Sequence, residues 1–262
     1  MIQKRVEEIN RTGLHLDLGR IIDDAFDTYK KIAINAGLGY LIMFAVVGVI
    51  LFGAVSILAV SSEMAEQLTN LKSGGELPLG FLLTTIAGGL VFSLLAYPIL
   101  AGFLKMCKTA DDTGNAPFDD LFYYFKAPYF ANIILYVLTT TVISSSISLF
   151  FQFALDIQWL GVLVGWIISL LLLLALPMII FGNVSFYKAM LYSVKIVSKS
   201  PFVFLGAIVI AIIFAGLGIF ALCIGILFTY PFINAMIYTL YKHSIGFEEE
   251  TKEWEQIGTN EE

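Results

Sequence analysis

Three pairs of adjacent aspartates, Asp23-Asp24, Asp111-Asp112 and Asp119-Asp120, are the residues of this chain best suited to general acid–base chemistry. Two carboxylates can divide acid and base roles when their surroundings push their proton affinities apart. Each pair lies beside or on an amphipathic segment. Adjacent acids near a helix start also suit the helix macrodipole, which accounts for them without catalysis. The chain has two histidines, His15 and His243, near opposite ends. Neither stands in a His-x-x-x-His or His-Glu pattern, so the two or more imidazoles that converge on a non-haem iron have no counterpart in the spacing. Cys107 and Cys223 are isolated thiols without metal-ligand spacing, and a disulfide framework is not expected. Gly-x-Ser-x-Gly, Cys-x-x-Cys and phosphate-binding Gly-rich loops are absent from the sequence. The expectation is a chain with no catalytic residue, no metal and no cofactor.

The elements that would position these residues are apolar. Of 262 residues 58% are hydrophobic and 14% charged, with mean hydropathy +0.86. A soluble domain is about 45–50% apolar and about a quarter charged, and here the excess sits in long uncharged runs. A bilayer core of about 30 Å takes roughly 20 apolar residues in a helix. The runs predict spans near 32–58, 79–104, 128–153, 158–182, 201–217 and 220–242. The last two share one uncharged stretch, with the turn expected at Ala215-Gly216-Leu217-Gly218. Residues 1–31 mix both charge signs and have no apolar h-region or cleavage site, so the first span is expected to act as its own insertion signal.

Fourteen of the fifteen Lys and Arg fall on alternate connections, and Lys72 alone lies on the other side. By the positive-inside rule this places both ends in the cytoplasm of a bacterial inner membrane. The predicted domains are a cytoplasmic segment 1–31 with an interfacial helix, a six-helix membrane domain 32–243, and an acidic disordered tail 244–262. That tail holds seven Glu, with Trp254 as the anchor of any partner motif.

One unit recurs three times: an amphipathic segment, a span, and a second span interrupted by proline. The segments are 18–31, 118–126 and 186–199. In the first, Leu18, Ile21, Ile22, Ala25, Phe26 and Tyr29 share a helical face. In the second, Phe118, Leu121, Phe122 and Phe125 do so. In the third, Lys188, Lys195 and Lys199 share the polar face. All three read as helices lying in the interface. The second spans carry Pro98, Pro177 and Pro231, each expected to kink its helix. The alternatives are kinks that only shape packing and kinks that splay three helices around a shared cavity.

Apart from Lys242 at the very end of the last one, the predicted spans hold no ionisable Asp, Glu, Lys, Arg or His, which disfavours ion-coupled transport. Their polar content is hydroxyl-rich: Thr139-Thr140-Thr141, Ser144-Ser145-Ser146 and Ser148 crowd the third span. These residues suit interhelical hydrogen bonds and close packing, or else a polar passage or lipid groove. Gly161-x-x-x-Gly165 is a small-residue pair suited to a helix contact within the monomer. A net charge of −6 without a basic patch argues against nucleic acid. The expected partners are the lipid bilayer and either a protein or a specific lipid.

The stretch Leu16-Asp17-Leu18-Gly19-Arg20-Ile21-Ile22-Asp23-Asp24-Ala25-Phe26-Asp27-Thr28-Tyr29-Lys30-Lys31 resembles the start of the membrane domain found ahead of glycerophosphodiester phosphodiesterase domains. Tyr187-Lys188-Ala189-Met190-Leu191-Tyr192-Ser193-Val194-Lys195, with the hairpin after it, resembles the same domain and the related YciC-like bacterial inner-membrane proteins. The resemblance implies six helices, an inner-membrane location and no settled reaction. The chain leaves no room for the phosphodiesterase half, so that activity is not implied. Some similar proteins carry the label beta-carotene monooxygenase, which two distant histidines do not support. The functional expectation is a non-catalytic membrane protein with an organising, assembly or lipid- or partner-binding role. The alternatives are a transporter or lipid translocator with a proline-lined cavity, and an intramembrane enzyme.

Overall fold

In a computed structural model of the chain, residues 2–59, 79–126, 128–153, 158–220 and 225–247 are described, with the side chains of 50–59, 79–87, 91, 152, 153 and 158 left aside. Lys72, Asp156, Cys223 and Trp254, with most of the acidic tail, lie outside the described residues.

Every regular element among the described residues is a helix. They are α1 (Ile2–Thr12), α2 (Leu18–Ala59), α3 (Leu79–Thr113), a 3-10 helix (Phe118–Phe125), α4 (Tyr129–Phe153) and α5 (Gln158–Leu171). There follow α6 (Ala175–Phe181), α7 (Phe186–Val197), α8 (Pro201–Leu217), a 3-10 turn (Gly218–Phe220), α9 (Gly225–Thr229) and α10 (Pro231–Ser244). Among the described residues five stretches are long and apolar enough to cross a membrane: Leu18–Val49, Gly88–Thr113, Tyr129–Phe151, Trp159–Phe181 and Pro201–Phe220. Their outer faces are apolar. Val49, Val142, Trp166 and Phe202 are exposed, the last at 84%, among many other large hydrophobic side chains. A water-soluble monomer rarely carries continuous apolar surface of this extent, and a lipid-facing bundle requires it.

The stretch expected to form the sixth span is broken. It runs as α9 and α10, parted at Tyr230 ahead of Pro231. α10 packs against α2, α3 and α8 and is largely enclosed. Phe232, Asn234, Ala235, Met236, Tyr238, Thr239 and Leu240 are all buried. The Tyr40 ring of α2 lies between Phe103 of α3, stacked at 4.0 Å, and Tyr230, edge-on at 4.9 Å. The turn before α9 begins at Gly218, at the end of the expected 215–218 region. A side chain there would run into the backbone of Gly225 and Ile226.

The amphipathic segments differ from one another. Residues 18–31 are continuous with the first span in one 42-residue helix. Residues 118–125 form a 3-10 helix, whose three-residue turn stacks positions i and i+3. Leu121 and Tyr124 are therefore buried, while Phe122 and Phe125 are exposed at 51% and 38%. The single face expected for Phe118, Leu121, Phe122 and Phe125 assumed the α-helical period. The third segment, α7, buries Ala189, Ser193 and Ile196 and leaves Lys188, Lys195 and Lys199 exposed, as its pattern predicts. α1 was read only as a charged segment, yet it is a helix. It buries Ile2, Val6 and Ile9, spaced i, i+4 and i+7 on one face, and it packs on α7.

Candidate functional site

In each of the three aspartate pairs one carboxylate meets a basic side chain of another element. Asp23, Asp112 and Asp119 are exposed. Asp24 meets Nε2 of His243 at 2.7 Å. Asp111 meets Nζ of Lys242 at 2.6 Å, accepts from the Tyr238 hydroxyl at 2.9 Å and lies 3.9 Å from Nζ of Lys31. Asp120 meets Nζ of Lys105 at 2.8 Å, and that ammonium also sits 4.5 Å over the Tyr123 ring. The α10 partners of Asp24 and Asp111 (His243, Lys242 and Tyr238) are more than 100 residues away in the chain, so these pairs tie α10 to α2 and α3.

Asp119 and Asp120 stand in the first turn of their helix, as the dipole reading expects. Asp111 and Asp112 stand in the last turn of α3, where the dipole disfavours acids. The ammonium groups of Lys242, Lys31 and Lys108 offset that penalty. Tyr124, beneath Asp120, is held in its protonated form because burial raises its proton affinity, helped by the neighbouring Tyr129, Tyr123 and Asp120. Among the described residues no three His, Cys, Asp or Glu side chains converge as a metal site would require. His15 borders a shallow pocket with Asp17, Ser200 and Val203, and no contact joins it to His243. Cys107 is a buried free thiol.

The second feature is a cavity of about 480 Å³ between α3, α4, α5, α6 and α10. Its wall takes Ser93 and Tyr97 from α3, and Tyr136, Thr140, Thr141, Ser144 and Ser145 from α4. Ser169 of α5, Pro177 of α6 and Asn234 of α10 complete the polar and proline contacts. Gly89 and Ser169 are exposed, so the cavity is open on that side. The hydroxyl run of the third predicted span thus divides: Thr140, Thr141, Ser144 and Ser145 face the cavity, whereas Ser146 and Ser148 are exposed. Ser93, Thr140 and Ser169 donate to carbonyls one turn back in their own helices, at 2.8, 2.8 and 2.9 Å. Their oxygens remain available as acceptors.

Of the three prolines, only Pro177 belongs to this wall; Tyr97, beside Pro98, and Asn234, one turn after Pro231, stand in for the others. The prolines also differ locally. Pro98 sits inside a continuous helix. Pro177 follows a break at residues 172–174, which Ser193 of α7 bridges: its hydroxyl donates to Leu171 O at 2.7 Å and accepts from Leu174 N–H at 3.1 Å. Pro231 opens α10, and Thr229 just before it donates to Ala215 O of α8 at 2.8 Å. Of the glycine pair, Gly161 packs α5 against Phe151 and Ser148 of α4, while Gly165 meets open space.

Sequence reading missed Asn234, Tyr97 and Tyr136. Asn234 carried a usable signal, a carboxamide in the middle of a long uncharged stretch. It donates to the Tyr40 hydroxyl at 2.6 Å, joining α10 to α2. Comparison with family models, with curated proteins and with solved structures finds no match.

Proposed function

We propose that this chain is a six-span, non-catalytic protein of the bacterial inner membrane that binds a lipid or a membrane partner and has both ends in the cytoplasm. Membership of the YciC-like proteins is part of this proposal. The observation that carries it is the hydroxyl-lined cavity among helices apolar enough to cross a membrane. Pockets that hold small ligands are typically about 300–1,000 Å³, with a few convergent polar groups in an apolar wall. The charged groups speak for a structural role: Asp24, Asp111 and Asp120 are engaged with His243, Lys242 and Lys105, as clasps between helices.

The sixth crossing is supported by the same clasps. His243 and Lys242, at the end of α10, meet Asp24 and Lys31's partner Asp111 near the start of α2 and the end of α3. α2 and α10 therefore meet at one end, the arrangement that an even number of crossings gives. α10, with 14 residues, is too short to cross alone and spans under this reading only together with α9; its Asn234, Thr239 and Ser244 are buried against protein.

The test is mass spectrometry of the full chain released from its own membrane in a polymer disc. A lipid or protein retained at fixed stoichiometry is the expected result. A chain carrying only bulk lipid in bulk proportions contradicts the proposal.

A translocator is the second reading, favoured by one observation: the cavity wall draws on all three proline-bearing stretches through Tyr97, Pro177 and Asn234. Under that reading Pro177→Ala lowers lipid flipping in vesicles by more than it lowers protein abundance. If kinks only shape packing, the two fall together.

A further inference from the structure

We propose that the cavity takes an uncharged, hydroxyl-bearing lipid of the diacylglycerol type, in preference to an anionic phospholipid or an ion. The inference rests on the lipid-binding reading above and names the chemistry of its ligand.

The wall contains no Lys, Arg, His, Asp or Glu. A phosphate placed there would lose its hydration without gaining a cation, at a cost no hydroxyl repays. An alcohol and ester carbonyls need only neutral donors and acceptors, and the wall supplies both. Thr141, Ser144 and Ser145 line the cavity and make no side-chain hydrogen bond among the described residues. Their hydroxyls are partly accessible and can donate to ester carbonyls. Ser93, Thr140 and Ser169 have committed their protons to backbone carbonyls, which leaves acceptor oxygens for a ligand hydroxyl. Donors thus concentrate on α4, and acceptors come from α3, α4 and α5. Tyr136, a buried residue, adds a phenol to the lining of the same space. The volume of about 480 Å³ holds a glycerol backbone and the upper part of its chains, with the rest leaving through the open side at Gly89 and Ser169. Leucines at positions 90, 100, 104, 172, 173 and 176 supply the apolar contact for that upper part.

The experiment uses the full chain in discs of phosphatidylethanolamine and phosphatidylglycerol. A diacylglycerol with a diazirine near the head of one chain is photolysed, and the labelled peptide is identified. The expected label falls within Tyr129–Phe153. Unlabelled diacylglycerol competes at least about tenfold better than added phosphatidylglycerol. Thr141→Val, which keeps shape and removes one hydroxyl, lowers labelling about fivefold, the effect of one lost hydrogen bond. Ser144→Leu, which fills the cavity, abolishes it. Should Ser144→Leu fail to fold, Thr141→Val still decides. Equal competition by phosphatidylglycerol, or labelling that Thr141→Val leaves unchanged, overturns the neutral-lipid assignment while the lipid-binding reading stands. If a matching phosphatidylglycerol probe and the diacylglycerol probe both fail to label the cavity, the lipid-binding reading falls with it.

Discussion

Gly102 shows how much a single missing Cβ decides in this protein. A methyl there would strike the backbone of Leu121, not a side chain able to turn away. The 3-10 helix lies flat on α3 only because position 102 is bare, and that contact brings Asp120 to Lys105. Gly102→Ala therefore costs about 1–3 kcal/mol, the usual range for forcing a methyl into a packed contact. It should lower the melting temperature of detergent-purified protein, while Gly88→Ala, inside the same helix with open space around its Cβ position, should not lower it. Ser193 is a second single-residue device. Its hydroxyl serves both Leu171 O and Leu174 N–H across the break before Pro177. Ser193→Ala leaves a buried donor and a carbonyl unpaired and should destabilise by about 1–3 kcal/mol, read as an earlier thermal transition. Neither role could be read from sequence. Ser193 was visible only as part of a resemblance, and Gly102 only as one glycine among 22.

At the scale of elements, α10 is the centre of the molecule, and its clasps are electrostatic at one end and amide-to-phenol in the middle. The pair Asp111–Lys242 is partly buried, with side chains 23% and 30% exposed, so screening by solvent reduces its worth. Asp111→Asn and Lys242→Met should each cost about 1–2 kcal/mol, between the surface and buried limits. The double variant should cost less than the sum of the singles, because each single strands the other charge. Additive effects in thermal melts would show that the pair is not a clasp. The uncharged runs and the polar face of α7 were legible because burial in lipid and helical periodicity are local signals. The pairing of Asp24 with His243 and of Asp111 with Lys242 was not, since no local pattern records which distant residues meet. The 3-10 helix escaped for another reason: its three-residue period was read as α-helical, which reversed the faces of Phe122 and Tyr124. α1 was legible in principle, because Ile2, Val6 and Ile9 carry a helical stripe that its mixed charges masked.

Among the described residues, apolar helices pack on a hydrophobic core and leave one hydroxyl-lined cavity between them, and the ion pairs of Asp24 and Asp111 join the end of α10 to α2 and α3. Ser200 of the linker into α8 donates to Leu14 O at 2.8 Å, and Asn35 donates to Ala116 O at 2.7 Å. These bonds tie the connections after α1 and α7 to each other and the connection after α3 to α2. Composition announced the membrane class outright, and the hydroxyl run hinted at the cavity. The shared wall of α3, α4, α5, α6 and α10 depended on how the broken helices come together. The number of crossings is where the account is most exposed. Five helices qualify by length and apolarity among the described residues, whereas the proposed topology adds a sixth crossing through α9 and α10. Parity separates the two cases: six crossings place the two ends on one side, and five place them on opposite sides. The decisive measurement fuses a reporter pair, a fluorescent protein and periplasmic alkaline phosphatase, in turn to each end of the chain in a bacterial host. The account predicts fluorescence without phosphatase activity at both ends. Fluorescence at one end with phosphatase activity at the other would contradict it.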